Sequence, residues 1–128
     1  MAKDNHFEEA NQFISESMQF LNKLRYLHWN TDKYSFHIAT EKIYKDWEAL
    51  LDSFVEKYIG SHVAKKKHLL LTPALNNITI ESLLNDDVSY LLKSTEGLKS
   101  SLKPSSLLNV IDEFQNTLFQ LNYLLSLE

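Results

Sequence analysis

Residues 27–60 read LHWNTDKYSFHIATEKIYKDWEALLDSFVEKYIG, the close of one periodic segment, a tight turn and the whole of a second segment. From Tyr34 onward, at about 100° per residue, Ile43, Trp47, Leu50, Leu51, Phe54 and Tyr58 line up as one broad apolar face. His37, Glu41, Glu48, Asp52 and Glu56 form a second stripe beside it, and Lys42, Asp46 and Lys57 fall opposite, toward solvent. This spacing predicts a helix from about Tyr34 to Ile59 that Gly60 ends, because glycine favours the position after a last helical turn. Asn30, Thr31 and Asp32 read as the connection, with Thr31 or Asp32 as the cap.

Upstream, Phe7, Ile14, Leu21 and His28 recur every seven residues, with Ala10, Phe13, Met18 and Leu24 filling the adjoining positions. An amphipathic helix from about Phe7 to Asn30 follows, capped by Asp4 or Asn5 with Glu8 and Glu9 in its first turn. His28 falls in its last turn, in phase with the apolar stripe, and is expected to be at least partly buried. Downstream, Ser61 to Ile78 lacks a period and holds Lys65, Lys66, Lys67 and His68, then Leu69, Leu70 and Leu71, then Pro73, Asn76 and Asn77. Adjacent antiparallel helices are usually joined by about 2–8 residues. The longer segment has the reach to travel the length of a bundle, with room for a short helix. Thr79 caps a third helix through Leu84, Val88, Leu91, Leu98 and Leu102, which Gly97, Ser100 and Ser101 weaken toward an early break. Pro104, Ser105 and Ser106 mark the next boundary. A last helix to about Leu127 turns Leu107, Val110, Ile111, Phe114, Leu118, Leu121 and Leu125 inward. The expected fold is one all-α domain over residues 1–128, a ferritin-like four-helix bundle with a long crossover between helices 2 and 3.

Composition agrees. A chain of 128 residues with 44% hydrophobic side chains can bury one core, and Gly 2 with Pro 2 suits long helices. The net charge of -4 argues against a general nucleic-acid binder, and the Lys65–Lys67 run reads as a solvated loop. The absence of cysteine excludes disulfides and thiolate ligands. No signal-like or membrane-spanning run is present, so a cytoplasmic protein without a membrane partner is expected.

Chemistry is concentrated in the polar stripe. His37 and Glu41 are four apart, Asp52 and Glu56 are four apart, and the pairs are fifteen apart, so a helix gathers them on one side. Imidazole with carboxylates is a ligand set for iron, zinc or manganese. Like charges one turn apart on a helix cost roughly 0.2–0.5 kcal/mol per pair, and a divalent ion would more than cancel that. The same stripe also reads as an ordinary solvated helix edge, with His28 simply favoured at a helix C-terminus. Trp29, Tyr34, Tyr44 and Trp47 read as core or interface packing. No Glu-x-x-His motif of a central diiron site occurs. Asp112 and Glu113 are the only candidate inward carboxylates on the last helix. No phosphate loop, nucleophile motif or zinc-finger spacing is present.

Leu27-His28-Trp29-Asn30, then Phe36-His37, Glu41, Asp52 and Glu56, resembles the first-to-second helix region of the DNA-protecting mini-ferritins of the Dps type. The likeness covers roughly residues 13 to 60, with a His28-to-His37 interval shorter than is usual in that family. It implies a ferroxidase centre shared between two subunits, with the histidines His28 and His37 from one, the Asp52 and Glu56 pair from its symmetry mate, and Glu41 in the acidic place one turn after His37. It also implies iron(II) oxidised by hydrogen peroxide or oxygen, self-association as at least a dimer, and iron storage in a twelve-subunit shell. Glu48 or Tyr44 is expected in support of the ligands. The start of the chain lacks a lysine-rich arm, so DNA coating is not expected by that route. The competing reading is a non-enzymatic helical oligomerisation or interaction protein without a working metal site.

Overall fold

The computed structural model describes residues 5–62, 68–71 and 79–127. The chain is all-α: α1 (Asn5–Asn30), α2 (Tyr34–His62), the single turn α3 (Ile80–Ser82), α4 (Ser89–Ser101) and α5 (Ser105–Ser126). A π-helical segment, Leu83–Val88, joins α3 to α4 with helical backbone on both sides, so the three form one rod. No strand occurs among the described residues. The expected cap Asp4, the side chain of Asn5, the lysines Lys65, Lys66 and Lys67, and Pro73, Asn76 and Asn77 lie outside the described residues.

α1 packs on α2 and α4, and α5 completes the ring by packing on the same two helices. The short turn at Thr31–Lys33 makes α1 and α2 antiparallel. Lys23 meets Asp87 toward one end and Glu9 meets Ser101 toward the other, so α1 and α4 are antiparallel as well. Lys99 with Asp112 and Thr95 with Gln115 do the same for α4 and α5. α2 and α4 therefore run in the same direction, and the chain from His62 to Ile80 has to travel the length of the helices. Leu69 and Leu71 lie half-buried against the core, and the Leu70 amide donates to Asn11 Oδ1 at 2.5 Å, which ties that link to α1.

The predicted apolar faces are the buried ones. Ile43, Trp47, Leu51, Phe54 and Tyr58 of α2 and all seven inward positions of α5 are buried, with Leu50 half-covered. Each such side chain contributes roughly 1.5–3 kcal/mol on removal from water. Phe114 is the aromatic hub, its ring centroid 4.7 Å from Trp47, 5.0 Å from Phe13 and 6.0 Å from Phe54.

Three expectations need correction. α2 does not end at Gly60 but runs on to His62. The His62 ring stacks on Tyr58 at 5.4 Å, and His6 from α1 shares a 2.8 Å hydrogen bond with the Tyr58 hydroxyl. Contacts of this kind outweigh the roughly 1 kcal/mol that a helical glycine costs relative to alanine. The third helix does not break early either. At Gly97 the missing side chain leaves room for the Glu9 carboxylate, since a Cβ there would lie 3.0 Å from Glu9 Oε2. Ser101 Oγ donates to Glu9 Oε1 at 2.9 Å, locking the weak end to α1. Asp112 and Glu113 are exposed rather than inward.

The buried carboxylate is instead Asp87, whose oxygens accept from Lys23 Nζ at 2.9 and 3.0 Å, both side chains being almost wholly covered. Glu16 lies near this pair, and burial pushes its carboxyl above the ordinary glutamate value. Asp87 adds to the shift and Lys23 opposes it. A raised folded-state value means that the folded chain holds this proton over an interval where the unfolded chain has lost it. Stability therefore falls as pH rises through that interval. A Glu16→Gln chain is expected to be slightly more stable at pH 7, by less than about 0.5 kcal/mol for so exposed a group. The difference should vanish below the unfolded glutamate value, as urea melts at several pH values will read.

Ser17 Oγ is buried with no hydrogen-bond partner among the described residues. Covering a hydroxyl without a partner costs about 1–3 kcal/mol, so Ser17→Ala is expected to raise the denaturation midpoint.

Candidate metal centre

Two helix ends build the site. α1 finishes at Asn30 and α2 begins at Tyr34, so His28 in the last turn of one faces His37 in the first turns of the other. The last carbonyls of α1 have no helical partner. The Thr31 amide reaches the Leu27 carbonyl at 2.9 Å, and His37 Nδ1 serves the next one, bonding the His28 carbonyl at 2.9 Å. His28 Nδ1 in turn bonds the His37 carbonyl at 2.8 Å. A carbonyl oxygen only accepts, so each Nδ1 carries the proton and donates. The two imidazoles cross-link the helix ends reciprocally and stack with centroids 3.8 Å apart.

That pairing has a chemical consequence. A neutral ring protonated on Nδ1 keeps its one in-plane lone pair on Nε2, and a hydrogen bond at the other nitrogen is what fixes the tautomer of a metal-binding histidine. Glu41, one turn beyond His37, brings a carboxylate to the same place. One ligand atom each from His28, His37 and Glu41 all lie within 4.8 Å of one another. His28 is 8% exposed, while His37 and Glu41 are intermediate, so the group is reachable from outside. A cleft of ≈ 330 Å³ lined by Thr31, Asp32, Lys33 and Tyr34 opens beside His37.

Lys45 donates to Glu41 Oε2 at 2.8 Å and holds that carboxyl below its ordinary value, with smaller contributions from His28 and His37. Tyr44 sets its ring edge-on to His28 at 5.4 Å and carries the Arg25 guanidinium 5.3 Å from its centroid. Arg25 also pairs with Glu48 at 3.1 Å. Tyr44 thus touches a candidate ligand, whereas Glu48 pairs with Arg25. Trp47 is core, but Trp29 and Tyr34 stand 71% and 77% exposed beside the site.

Asp52 and Glu56 do not join this group within one chain. From Glu41, Asp52 is eleven residues along α2, about 16 Å. Both carboxylates are exposed on the rim of a ≈ 350 Å³ cleft floored by Ile14, Met18, Leu51, Val55 and Leu71. The cleft and the histidines occupy the two ends of one groove between α1 and α2. Reading the sequence missed Arg25 and the reciprocal Nδ1 bonds, and only the helix-terminal position of His28 hinted at the latter.

The model of the family of unknown function DUF5856 matches residues 28–125 of this chain. The chain belongs to that family. All five candidate ligands of this DUF5856 member, His28 to Glu56, fall inside the matched span. No curated protein and no solved structure matches the chain. No helix among the described residues is long and apolar enough to cross a membrane.

Proposed function

We propose that this protein binds iron(II) and catalyses its oxidation at a site completed by two copies of the chain, within a ferritin-like four-helix bundle. The observation that carries the reading is the convergence of His28, His37 and Glu41 with both Nδ1 hydrogens committed to backbone carbonyls. Two imidazoles and one carboxylate on one side of an ion leave positions open for an oxidant, a ligand pattern suited to iron(II). Zinc and manganese are accepted by the same donors. The parallel α2 and α4, joined by a lengthwise link, support the single-crossover bundle.

Three ligands are too few to hold a pair of ions, and the groove indicates where the rest come from. His37–Glu41 and Asp52–Glu56 are centred fifteen residues apart on α2, about 22 Å. A two-fold axis crossing the groove near Arg25 and Glu48 would carry the acidic pair of each copy to the histidines of the other. An isologous contact makes that exchange twice. The apolar cleft and the exposed Trp29 and Tyr34 are surfaces such a contact would cover. His28, His37 and Glu41 would hold one iron(II), and Asp52 and Glu56 of the second copy would supply the carboxylates for a second ion. Two iron(II) ions give up one electron each, which together with two protons cleave hydrogen peroxide to two waters. Storage of the oxidised iron in a larger shell, in the cytoplasm, is the use of this chemistry that the fold would support.

Anaerobic titration with iron(II), then peroxide, tests the reading alongside light scattering. Saturable binding and a dimer or larger species are expected. A His37→Ala/Asp52→Ala chain should bind at least about 100-fold more weakly, more than loss of an outer partner costs. A monomer at all concentrations, or an unchanged variant, would sink the proposal. A dimer that binds no metal would instead establish the interaction-protein reading, which the exposed aromatic residues favour.

A further inference from the structure

We infer that Lys45 is a built-in competitor for the metal ion, occupying the Glu41 carboxylate so that an incoming cation has to displace it. The inference rests on the metal-site reading above. Glu41 supplies the single carboxylate of the three-residue group, so it provides the negative charge that draws in a cation. That charge is already engaged: Lys45 Nζ lies 2.8 Å from Glu41 Oε2, one helical turn away. Two neighbouring cations have their own acids, Arg25 pairing with Glu48 and Lys42 with Asp46.

The Lys45 side chain is 62% exposed, so its ammonium keeps much of its hydration and has open solvent to swing into. Two effects then work in one direction. Breaking an exposed pair of this spacing costs the incoming ion about a factor of two in affinity. Once displaced, the ammonium stays tethered one turn from the site and repels a doubly charged ion through surface dielectric, and a triply charged one more strongly. An outer hydrogen bond can also orient a ligand and raise affinity. Here the charge effect wins, because lysine is a flexible, hydrated point charge rather than a planar fork that fixes geometry. Lys45 therefore weakens the hold on the oxidised ion more than the hold on iron(II), which suits a site whose metal is substrate.

Titration calorimetry of the full chain with cobalt(II), a stand-in that peroxide chemistry does not complicate, tests this. Lys45→Met should bind cobalt(II) about three- to tenfold more tightly than the natural chain, an advantage that shrinks as salt screens the repulsion. Lys45→Arg, which keeps the charge, should stay within about twofold of the natural chain. Glu41→Gln should lose tight binding. An exposed change of this kind leaves folding intact, which a thermal melt will verify. Binding in Lys45→Met that is equal or weaker overturns the inference alone, a weaker value making Lys45 an orienting partner. No cobalt(II) binding by either chain overturns the site reading and this inference with it.

Discussion

An Asp87→Ala chain is expected to lose about 3–5 kcal/mol of folding stability, because it leaves the Lys23 ammonium buried without its counter-ion. Lys23 and Asp87 come from α1 and the π-helical segment, and their side chains are 8% and 9% exposed. Both carboxylate oxygens accept from the one ammonium. Glu16, already within electrostatic reach of Lys23, can take up part of the lost charge. The loss should therefore sit toward the lower end of the range. Against a total of about 5–15 kcal/mol for a domain of this size, even that is a large share. Thermal melts should show a midpoint lower by about 10 °C or more. The companion variant Lys23→Met/Asp87→Leu removes both charges and should recover most of the loss, since paired buried ions often do no better than apolar residues of similar volume. A double variant as unstable as Asp87→Ala would mean that packing, not charge, is responsible.

Phe114→Ala is expected to cost a similar 3–5 kcal/mol for a different reason. Phe114 is fully buried where α5 meets α1 and α2, against Phe13, Trp47 and Phe54. The edge-on and tilted ring contacts add to area burial, and the three aromatic side chains around this position cannot collapse to fill the space a benzyl group leaves. Phe114→Leu, which keeps much of the volume, should lose clearly less. Urea melts of the two variants will separate a cavity cost from a loss of ring-to-ring contact. Equal losses in both would shift the cause from volume to the aromatic pairs.

Much of the helix pattern was legible in the chain because it follows from period and from few residue types. Leu107 to Leu125 needed only helical spacing to be placed inward. Thr79 needed only its position to be a cap, and its hydroxyl does accept from the Ser82 amide at 2.9 Å. Gly60 and Gly97 misled for a shared reason. Local propensity favours ending a helix at glycine, and the rings around Tyr58 and the carboxylate of Glu9 override it from elsewhere in the fold. Lys23 and Arg25 were passed over because a lysine or arginine on a helix says nothing of its partner until the neighbouring helix is known.

For the candidate site the division is sharper. Residue order and helical spacing alone put His28, His37, Glu41, Asp52 and Glu56 along one edge of α1 and α2, with the first three within three turns of a short connection and the last two fifteen residues beyond His37 and Glu41. Tertiary structure decided which of them meet. The Thr31–Lys33 turn folds His28 and His37 face to face, where each ring caps the other's backbone and its protonated nitrogen is thereby chosen. The straight run of α2 keeps Asp52 and Glu56 on the far end of the groove, because a helix advances about 1.5 Å per residue whatever its side chains would prefer to bind.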